Sequence, residues 1–416
     1  MFVNYYDGSN GSVVNVAVAR VLVAALGVWK LCSYDWASIS RWEVYATDYY
    51  LLVVPEWVQP YLVVEKYLAL VGLVCFAFGV SHRYLTPATA VLVAHLGAAR
   101  FTLDPSGASQ ALFTLVYVMV FFALYRSEDR ISVDGIRATG TAGPAELNAS
   151  LQSSRDADPE PAGSILKWSL LTVGILYFGA GVTKIVQGPA WEWATARSLG
   201  QYILWAQTYF GVDPRPGRLL LQYPWLLQSA AIGTLILETG FLLWILARRD
   251  ITPFVVGLLG MHVVVAVVMG PFFFDQIVFL LLFADWSRLL SRVENDAELA
   301  VVYDEHCEFC ARTLSVFESL DVTDTIEFYS QSTAPAEYRD RPGVAFETAM
   351  YAFRGGRSHE GYDAFGALFR HFAVFYPVAV VMSLPVVRTV GERVYACVAA
   401  NRDRHVTCTV DANADE

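Results

Sequence analysis

Residues 303–312 read YDEHCEFCAR. The tyrosine ends an apolar run, ELAVVYD (298–304), whose continuous apolar character and β-branched content predict a buried strand. Cys307 and Cys310 follow at a spacing of three, which places both thiols on the first turn of the helix that ARTLSVFESL continues. A strand feeding a helix through a dithiol sets the frame for the C-terminal part of the chain. Around it, DTIEFYS (324–330) and TAMYAFRGG (348–356) read as further strands. DAFGALFRHF (363–372) has apolar residues at helical spacing, and PVAVVMSLPVVRTVGERVYACVAANRDR (377–404) supplies one or two more helices. The expectation from Glu298 onward is a small α/β unit.

The preceding residues obey another rule. The chain of 416 residues is 55% hydrophobic and only 17% charged, below the roughly 25% usual for globular domains, and its mean hydropathy is +0.42. Apolar stretches of roughly 18 or more residues are long enough to cross a bilayer core. Hydropathy predicts about eight spans, at 12–33, 61–80, 85–103, 111–125, 165–186, 224–247, 251–269 and 271–291. The predicted fold is thus a polytopic α-helical membrane protein with a C-terminal α/β domain, divided into 1–296 and 297–416. The connections 34–60 and 187–223 are rich in Trp, Tyr and Pro, residues expected along the headgroup level. The stretch 126–164 is polar and rich in Pro, Gly and Ser, and reads as a flexible loop. MFVNYYDGSNGS, at the start, lacks the basic region and cleavage site of a signal peptide.

Net charge is −11, which argues against a nucleic-acid partner. Basic residues beside the span ends set orientation. His82-Arg83, Arg126, Arg130, Lys167, Arg248-Arg249, Arg288 and Arg292 share one side of an eight-span arrangement, against Arg41, Arg197, Arg215 and Arg218. The first side, and with it the C-terminal domain, is expected to face the cytoplasm of a cell-membrane protein.

Three readings of the dithiol stand at this point. A thiol at a helix N-terminus is stabilised as thiolate by unpaired N–H groups and the helix dipole, and a second thiol one turn on resolves a mixed disulfide. On that reading Cys307 attacks and Cys310, deeper in the helix, resolves; the partner is another thiol or disulfide protein. A metal site would need two more ligands, from His306, Cys397 or Cys408; an inert structural pair is the third reading. Cys32 and Cys75, in apolar segments, read as core thiols.

The segment VVYDEHCEFCARTLSVFESLD resembles the signature of the DCC family of thiol-disulfide oxidoreductases, and the likeness continues through GYDAFGALFRHF, LPVVRTVGERVY and AANRDRHVTC. The resemblance implies a thioredoxin-like fold and a redox-active dithiol, with Asp304, Cys307 and Cys310 on the motif's aspartate and cysteines. This chain has Glu305, His306 and Glu308 where the family usually has Gly, Asp and Pro. Glu308 between the thiols opposes thiolate formation, and a His306 imidazolium favours it.

Ionisable side chains inside spans are costly and count as functional candidates: His95, Lys184, Glu238 and His262. LYFGAGVTKIVQGPAWEWATARSLGQYI, around Lys184, together with LILETGFLLWI and GMHVVVAVVMGPFFFDQIVFLLLF, resembles the membrane domain of vitamin K-dependent gamma-glutamyl carboxylase, also called the horizontally transferred transmembrane domain. The resemblance implies a quinone or quinol lipid, menaquinone or vitamin K-like, as cofactor. Lys184 matches the base that starts quinol oxidation, with Thr183 in place of the preceding lysine. His262 and His95 are supporting candidates, and Trp191, Trp193 and Glu238 are candidates for the quinone pocket. No metal is expected. A quinol-oxidising membrane enzyme fused to a thiol oxidoreductase, a thiol oxidoreductase on an inert or lipid-handling anchor, and a non-enzymatic scaffold are the functions to separate.

Overall fold

The computed structural model describes residues 1–7, 13–36, 59–103, 110–125, 131–138, 160–186, 192–211, 213–291, 298–305, 307–321, 325–341, 343–346, 349–372 and 375–400. The chain forms two compact units, Met1–Ser127 with Pro159–Asp285, and Glu128–Asp158 with Trp286–Glu416.

The first unit is helical. Its helices are α1 (Val13–Ser33), α2 (Leu62–Phe78), α3 (His82–Leu103), α4 (Gln110–Leu124), and then, beyond a helix of the second unit, α5 (Val133–Ala138), α6 (Glu160–Val186). α7 (Ala196–Phe210), α8 (Arg215–Leu221), α9 (Pro224–Leu246), α10 (Thr252–Met269) and α11 (Phe274–Leu281) complete it. Among the described residues four stretches are long and apolar enough to cross a membrane: Val13–Ser33, Gly163–Val186, Pro224–Leu246 and Thr252–Met269. Their burial pattern is the inverse of a water-soluble bundle. Ile175, Ile236, Leu243, Val256, Val263, Val264 and Val267 face outward, whereas Asn15, Arg20, Glu238 and His262 face inward. The inward groups are partnered: Asn15 donates to the Tyr5 hydroxyl at 2.8 Å and Arg20 to the Ala77 carbonyl at 3.0 Å. With no water to satisfy them in hydrocarbon, such groups must find protein partners.

The predicted eighth span, 271–291, is not one helix. It divides into α11 and α12 (Trp286–Ser291), the latter in the second unit. At about 1.5 Å per residue neither crosses a core of about 30 Å. The break has a cause in the chain's own start: Val3 N–H donates to the Phe283 carbonyl, Asp285 N–H donates to the Met1 carbonyl, and Phe2 bridges Ala284. Extended pairing there consumes groups that a continuing helix would use. Before α11, Gly270 (φ 99°) closes α10 by donating to Val265 and Ala266, so Pro271 follows a finished helix.

Residues 37–58, most of the aromatic connection at 34–60, lie outside the described residues. In 187–223 the chain forms α7 and α8. The Thr195 side chain caps α7 by accepting the Ser198 N–H, as Thr commonly does. Trp205, Tyr209 and Phe210 on α7 are exposed. Within 126–164, the loop expectation is corrected at 133–138, which form α5, and from Glu160, where α6 begins. The rest of that stretch, apart from 131–132, lies outside the described residues.

The second unit is built on a four-stranded sheet in the order β2-β1-β3-β4. β1 (Leu299–Tyr303) runs parallel to β2 (Ile326–Ser330), with Leu299 opposite Ile326, and antiparallel to β3 (Tyr351–Arg354). β4 (Arg357–Glu360) pairs antiparallel with β3. α13 (Glu308–Leu320) is the crossover from β1 to β2, and the short α14 (Ala336–Arg339) follows β2. α15 (Tyr362–His371), α16 (Tyr376–Met382) and α17 (Pro385–Ala400) close the chain's described part. All five residues of β1 are buried, the mark of a strand covered on both faces. Leu299, Val301 and Tyr303 pack with Ala311, Leu314 and Phe317 of α13 and Ala364, Leu368 and Phe372 in and beside α15. Ala300 and Val302 pack on the opposite face with Phe346, Tyr351 and Phe353. α5 packs against α13 within this unit.

A dithiol on a helix start and a buried charge pair

The end of β1 delivers the dithiol. After Tyr303 the backbone turns, and the Cys307 N–H donates to the Asp304 carbonyl at 3.0 Å. Cys307 is the N-cap of α13, with extended backbone (φ −94°, ψ 95°), and its Sγ accepts the Cys310 N–H at 3.2 Å. Sulfur thus takes the place that a Ser or Asp oxygen usually fills. Cys307 and Cys310 are joined as a disulfide, their Cα atoms 5.3 Å apart, inside the usual 4.4–6.8 Å range. Asp304 is buried behind the turn.

Burial of the two sulfurs reverses the expectation that Cys310 is the deeper thiol. Cys307 is fully buried, and Cys310 is only partly buried against the core of the sheet. The cause is the cap itself: an N-cap residue sits where the strand dives into the core, and the next turn rises away from it. Glu305 does not merely replace a glycine, because its carboxylate accepts the Ser332 N–H at 3.3 Å and the Ser332 hydroxyl. The dithiol turn is thereby fastened to the segment after β2, where the Gln331 N–H also donates to the Tyr303 carbonyl at 3.0 Å. Burial, with Glu305 and Glu318 nearby, pushes the Tyr303 hydroxyl well above its ordinary proton affinity, so it stays protonated. His306 and the Glu308 side chain lie outside the described residues, as does Cys408. Cys397 and Cys32 are exposed, so Cys32 is not the core thiol expected; Cys75 is half-buried. Among the described residues no group of three or more His, Cys, Asp or Glu stands close enough to hold a metal ion.

In the first unit, α6 and α9 bring Lys184 and Glu238 together. Nζ donates to both carboxylate oxygens at 2.7 Å, with Glu238 buried and Lys184 one-quarter exposed. Lys184 Nζ also stands 5.2 Å from the centre of the Trp193 ring. Close helix approach makes this possible. A Cβ on Gly181 would meet Thr239 Cγ2 at 2.6 Å and Glu238 Cβ at 3.1 Å, and one on Gly174 would meet Ile245 Cδ1 at 2.8 Å. Two glycines one heptad apart therefore let α6 lie against α9, as small residues do between membrane helices.

About two turns before Lys184 on the same face of α6, the Tyr177 hydroxyl meets His262 Nε2 of α10 at 2.7 Å. Phe241 and Phe273 pack on these rings. His262 is buried, and its Nδ1 has no hydrogen-bond partner among the described residues. Asp275 and Lys184 are near enough to act electrostatically on His262, and Asp275 itself is 3.7 Å from Lys30. Tyr177, Asp275 and Lys30 were not singled out from sequence. A tyrosine seven residues before Lys184 on one helix face is the signal that was there to read. His95 stands apart, its Nδ1 2.8 Å from the Glu65 carboxylate. Trp191 lies outside the described residues.

No curated protein and no solved structure matches this chain. Residues 301–407 match the family model of the DCC1-like thiol-disulfide oxidoreductases, a span that contains Asp304, Cys307 and Cys310. The C-terminal unit therefore carries a DCC1-like thiol-disulfide oxidoreductase domain, on a chain with helices able to cross a membrane.

Proposed function

We propose that the protein is a membrane-anchored thiol-disulfide oxidoreductase, with the C-terminal unit on the cytoplasmic side of the cell membrane. The observation that carries this is the Cys307–Cys310 disulfide at the start of α13, within a matched redox domain. The parallel β1-α13-β2 crossover and the β2-β1-β3-β4 order support a thioredoxin-like reading of that domain. Its partner is a protein thiol or disulfide.

In the reduced protein the Cys307 thiolate keeps the Cys310 N–H as donor and attacks a partner disulfide. One partner sulfur leaves as thiolate, and a mixed disulfide with Cys307 remains. Cys310, deprotonated, then attacks Cys307 Sγ, re-forms the internal disulfide and releases the second partner thiolate. Two electrons pass to the partner. A return cycle needs an external dithiol that reduces the internal disulfide. Purified full-length protein should exchange with a small aromatic disulfide after reduction, and Cys307→Ser should not. Equal rates for the two proteins would overturn the reading and leave the membrane scaffold.

The polar cluster around Lys184 supports a second reading, in which the first unit binds a quinone lipid. An unpartnered His262 Nδ1 beside Tyr177 suits a carbonyl or hydroxyl headgroup, and Trp193 walls the lysine. Lys184 here is held by Glu238, so a base at this position must first hand its proton to that carboxylate. The test is solvent extraction of the purified protein for quinone, followed by quinol turnover of Lys184→Arg. Arginine keeps the ion pair but cannot give up its proton near neutral pH. Turnover equal to the parent would leave Lys184 as a structural partner only.

A further inference from the structure

α16 and α17 carry a surface that the redox chemistry does not use. α17 packs its Gly391 and Tyr395 inward: a Cβ on Gly391 would meet Tyr362 Cε2 at 2.2 Å, and the Tyr395 hydroxyl accepts the Met350 N–H at 3.1 Å. Its polar edge is tied down by Arg388, which donates to Asp363 at 2.7 Å and Glu392 at 2.8 Å. What remains outward is apolar. Val386 is 76% exposed, Val390 55% and Val394 57%. On α16, Tyr376, Val380 and Val381 are exposed as well, and Leu384 between the helices is half-exposed.

We propose that this α16–α17 face rests on the lipid surface of the membrane that holds the first unit. The proposal rests on the membrane-anchored reading above. Three observations favour lipid over a second copy of the chain. First, the chain passes from Asp285, the last residue of the first unit, to Leu299 of β1 in a connection that spans less than about 50 Å even fully extended. A domain near this size has a radius of gyration of about 13 Å, so the bilayer surface is always within its reach, whereas a second copy must be recruited. Second, the valines recur at intervals of four, at 386, 390 and 394. A row spaced by four drifts around the helix and does not make the 3.5-residue seam that a coiled-coil partner needs. A fluid surface requires only a common face. Third, the face has an aromatic (Tyr376) at one end and Arg393 exposed beside the valines, the composition of helices that lie in the headgroup region.

The test uses the full chain in phosphatidylcholine vesicles, with Cys32, Cys75, Cys397 and Cys408 replaced by serine and the Cys307–Cys310 disulfide left intact. A fluorophore is attached at Val390→Cys, and vesicles with brominated acyl chains are compared with unbrominated ones. Two control sites are Val264→Cys on α10 and Ser358→Cys on the exposed β4. Emission at 390 should fall about twofold on bromination, as for a face set roughly 5–10 Å into the headgroup boundary, while emission at 358 stays unchanged. Quenching at 264 with none at 390 would overturn this proposal alone. Absence of quenching at 264 would overturn the membrane reading and this proposal with it. Cross-linking between copies through 390 without quenching would replace lipid by a second copy.

Discussion

The dithiol and the Lys184–Glu238 pair are both close side-chain pairs on helices, and they are assembled in opposite ways. Cys307 and Cys310 are one turn apart on one helix, and nothing beyond the strand that precedes them is needed to bring their sulfurs together. Lys184 and Glu238 are 54 residues apart and meet only because α6 and α9 lie against each other. The first pair is a property of a short peptide, the second a property of packing. The difference teaches where each can be perturbed. A substitution at the dithiol should change chemistry and leave the fold, whereas one at the charge pair should change the fold before any chemistry is measured.

The largest expected effect sharpens the first half of that contrast. Cys307→Ser and Cys310→Ser should each drop disulfide exchange by the purified full-length protein to the uncatalysed background, with an unchanged melting profile apart from the lost disulfide. Lys184→Arg should leave exchange at the parental rate. Loss of exchange in Lys184→Arg would break the separation between the two regions.

Next comes the charge pair. Lys184→Met leaves a buried carboxylate without its partner, which costs on the order of 3–5 kcal/mol where such a pair is broken from one side. The double variant Lys184→Met/Glu238→Leu removes both charges and should recover most of that loss. Thermal unfolding in detergent checks it. Equal melting of the single and double variants would mean that the pair contributes chemistry rather than packing.

A smaller effect is expected from His371, buried at the end of α15, where Nε2 meets the Thr325 hydroxyl at 2.8 Å and Nδ1 has no hydrogen-bond partner among the described residues. Burial lowers its proton affinity, and Arg354 adds to this while Asp321 opposes it. The unfolded chain takes up this proton near pH 6.5 and the folded chain resists it until lower pH. Unfolding therefore gains a proton as pH falls below about 6.5, and stability falls with it, whereas above that pH the contribution is constant. Hydrogen exchange of β2 and α15 should be faster at pH of about 5.5 than of about 7.5, and His371→Gln should remove that part of the slope.

The finest test concerns which thiol reacts first. The helix start favours a Cys307 thiolate, and its burial opposes one. Graded-pH alkylation of the reduced protein, mapped by mass spectrometry, should modify Cys307 at the lower pH. Modification of Cys310 first would show that exposure outweighs the helix start and would exchange the two roles.

What the sequence made legible follows the same division. The strand at 299–303, the helix from the cysteines and the strand at 326–330 were readable because each is specified by neighbours along the chain. β4 was missed, although its signal is local: Gly355 and Gly356 both have positive φ, 54° and 79°, the signature of a two-residue hairpin turn. RSHE has no apolar alternation because β4 is an exposed edge. In the membrane-length region the helices at 13–33, 224–246 and 252–269 were readable from hydropathy alone. The break at 282–285 was not, because its cause is the pairing of those residues with Met1–Val3. The partnership of Lys184 with Glu238 depends on Gly174 and Gly181 facing α9. Hydropathy records that those glycines exist but not which helix they face.

α5 gives the C-terminal unit an unusual kind of attachment. Because Glu128–Asp158 group with Trp286–Glu416, the polypeptide enters or leaves that unit after Ser127, before Pro159 and after Asp285. A protease that cut only between 291 and 298 would sever one strand of this connection and leave α5 still threaded in the chain beside α13. The nicked product would then be held together by non-covalent contacts alone, that of α5 with α13 among them. A fragment beginning at 298 would lack α5 altogether and would bare the side of α13 on which α5 packs. Activity measured on such a fragment would report a dithiol helix relieved of one of its neighbours.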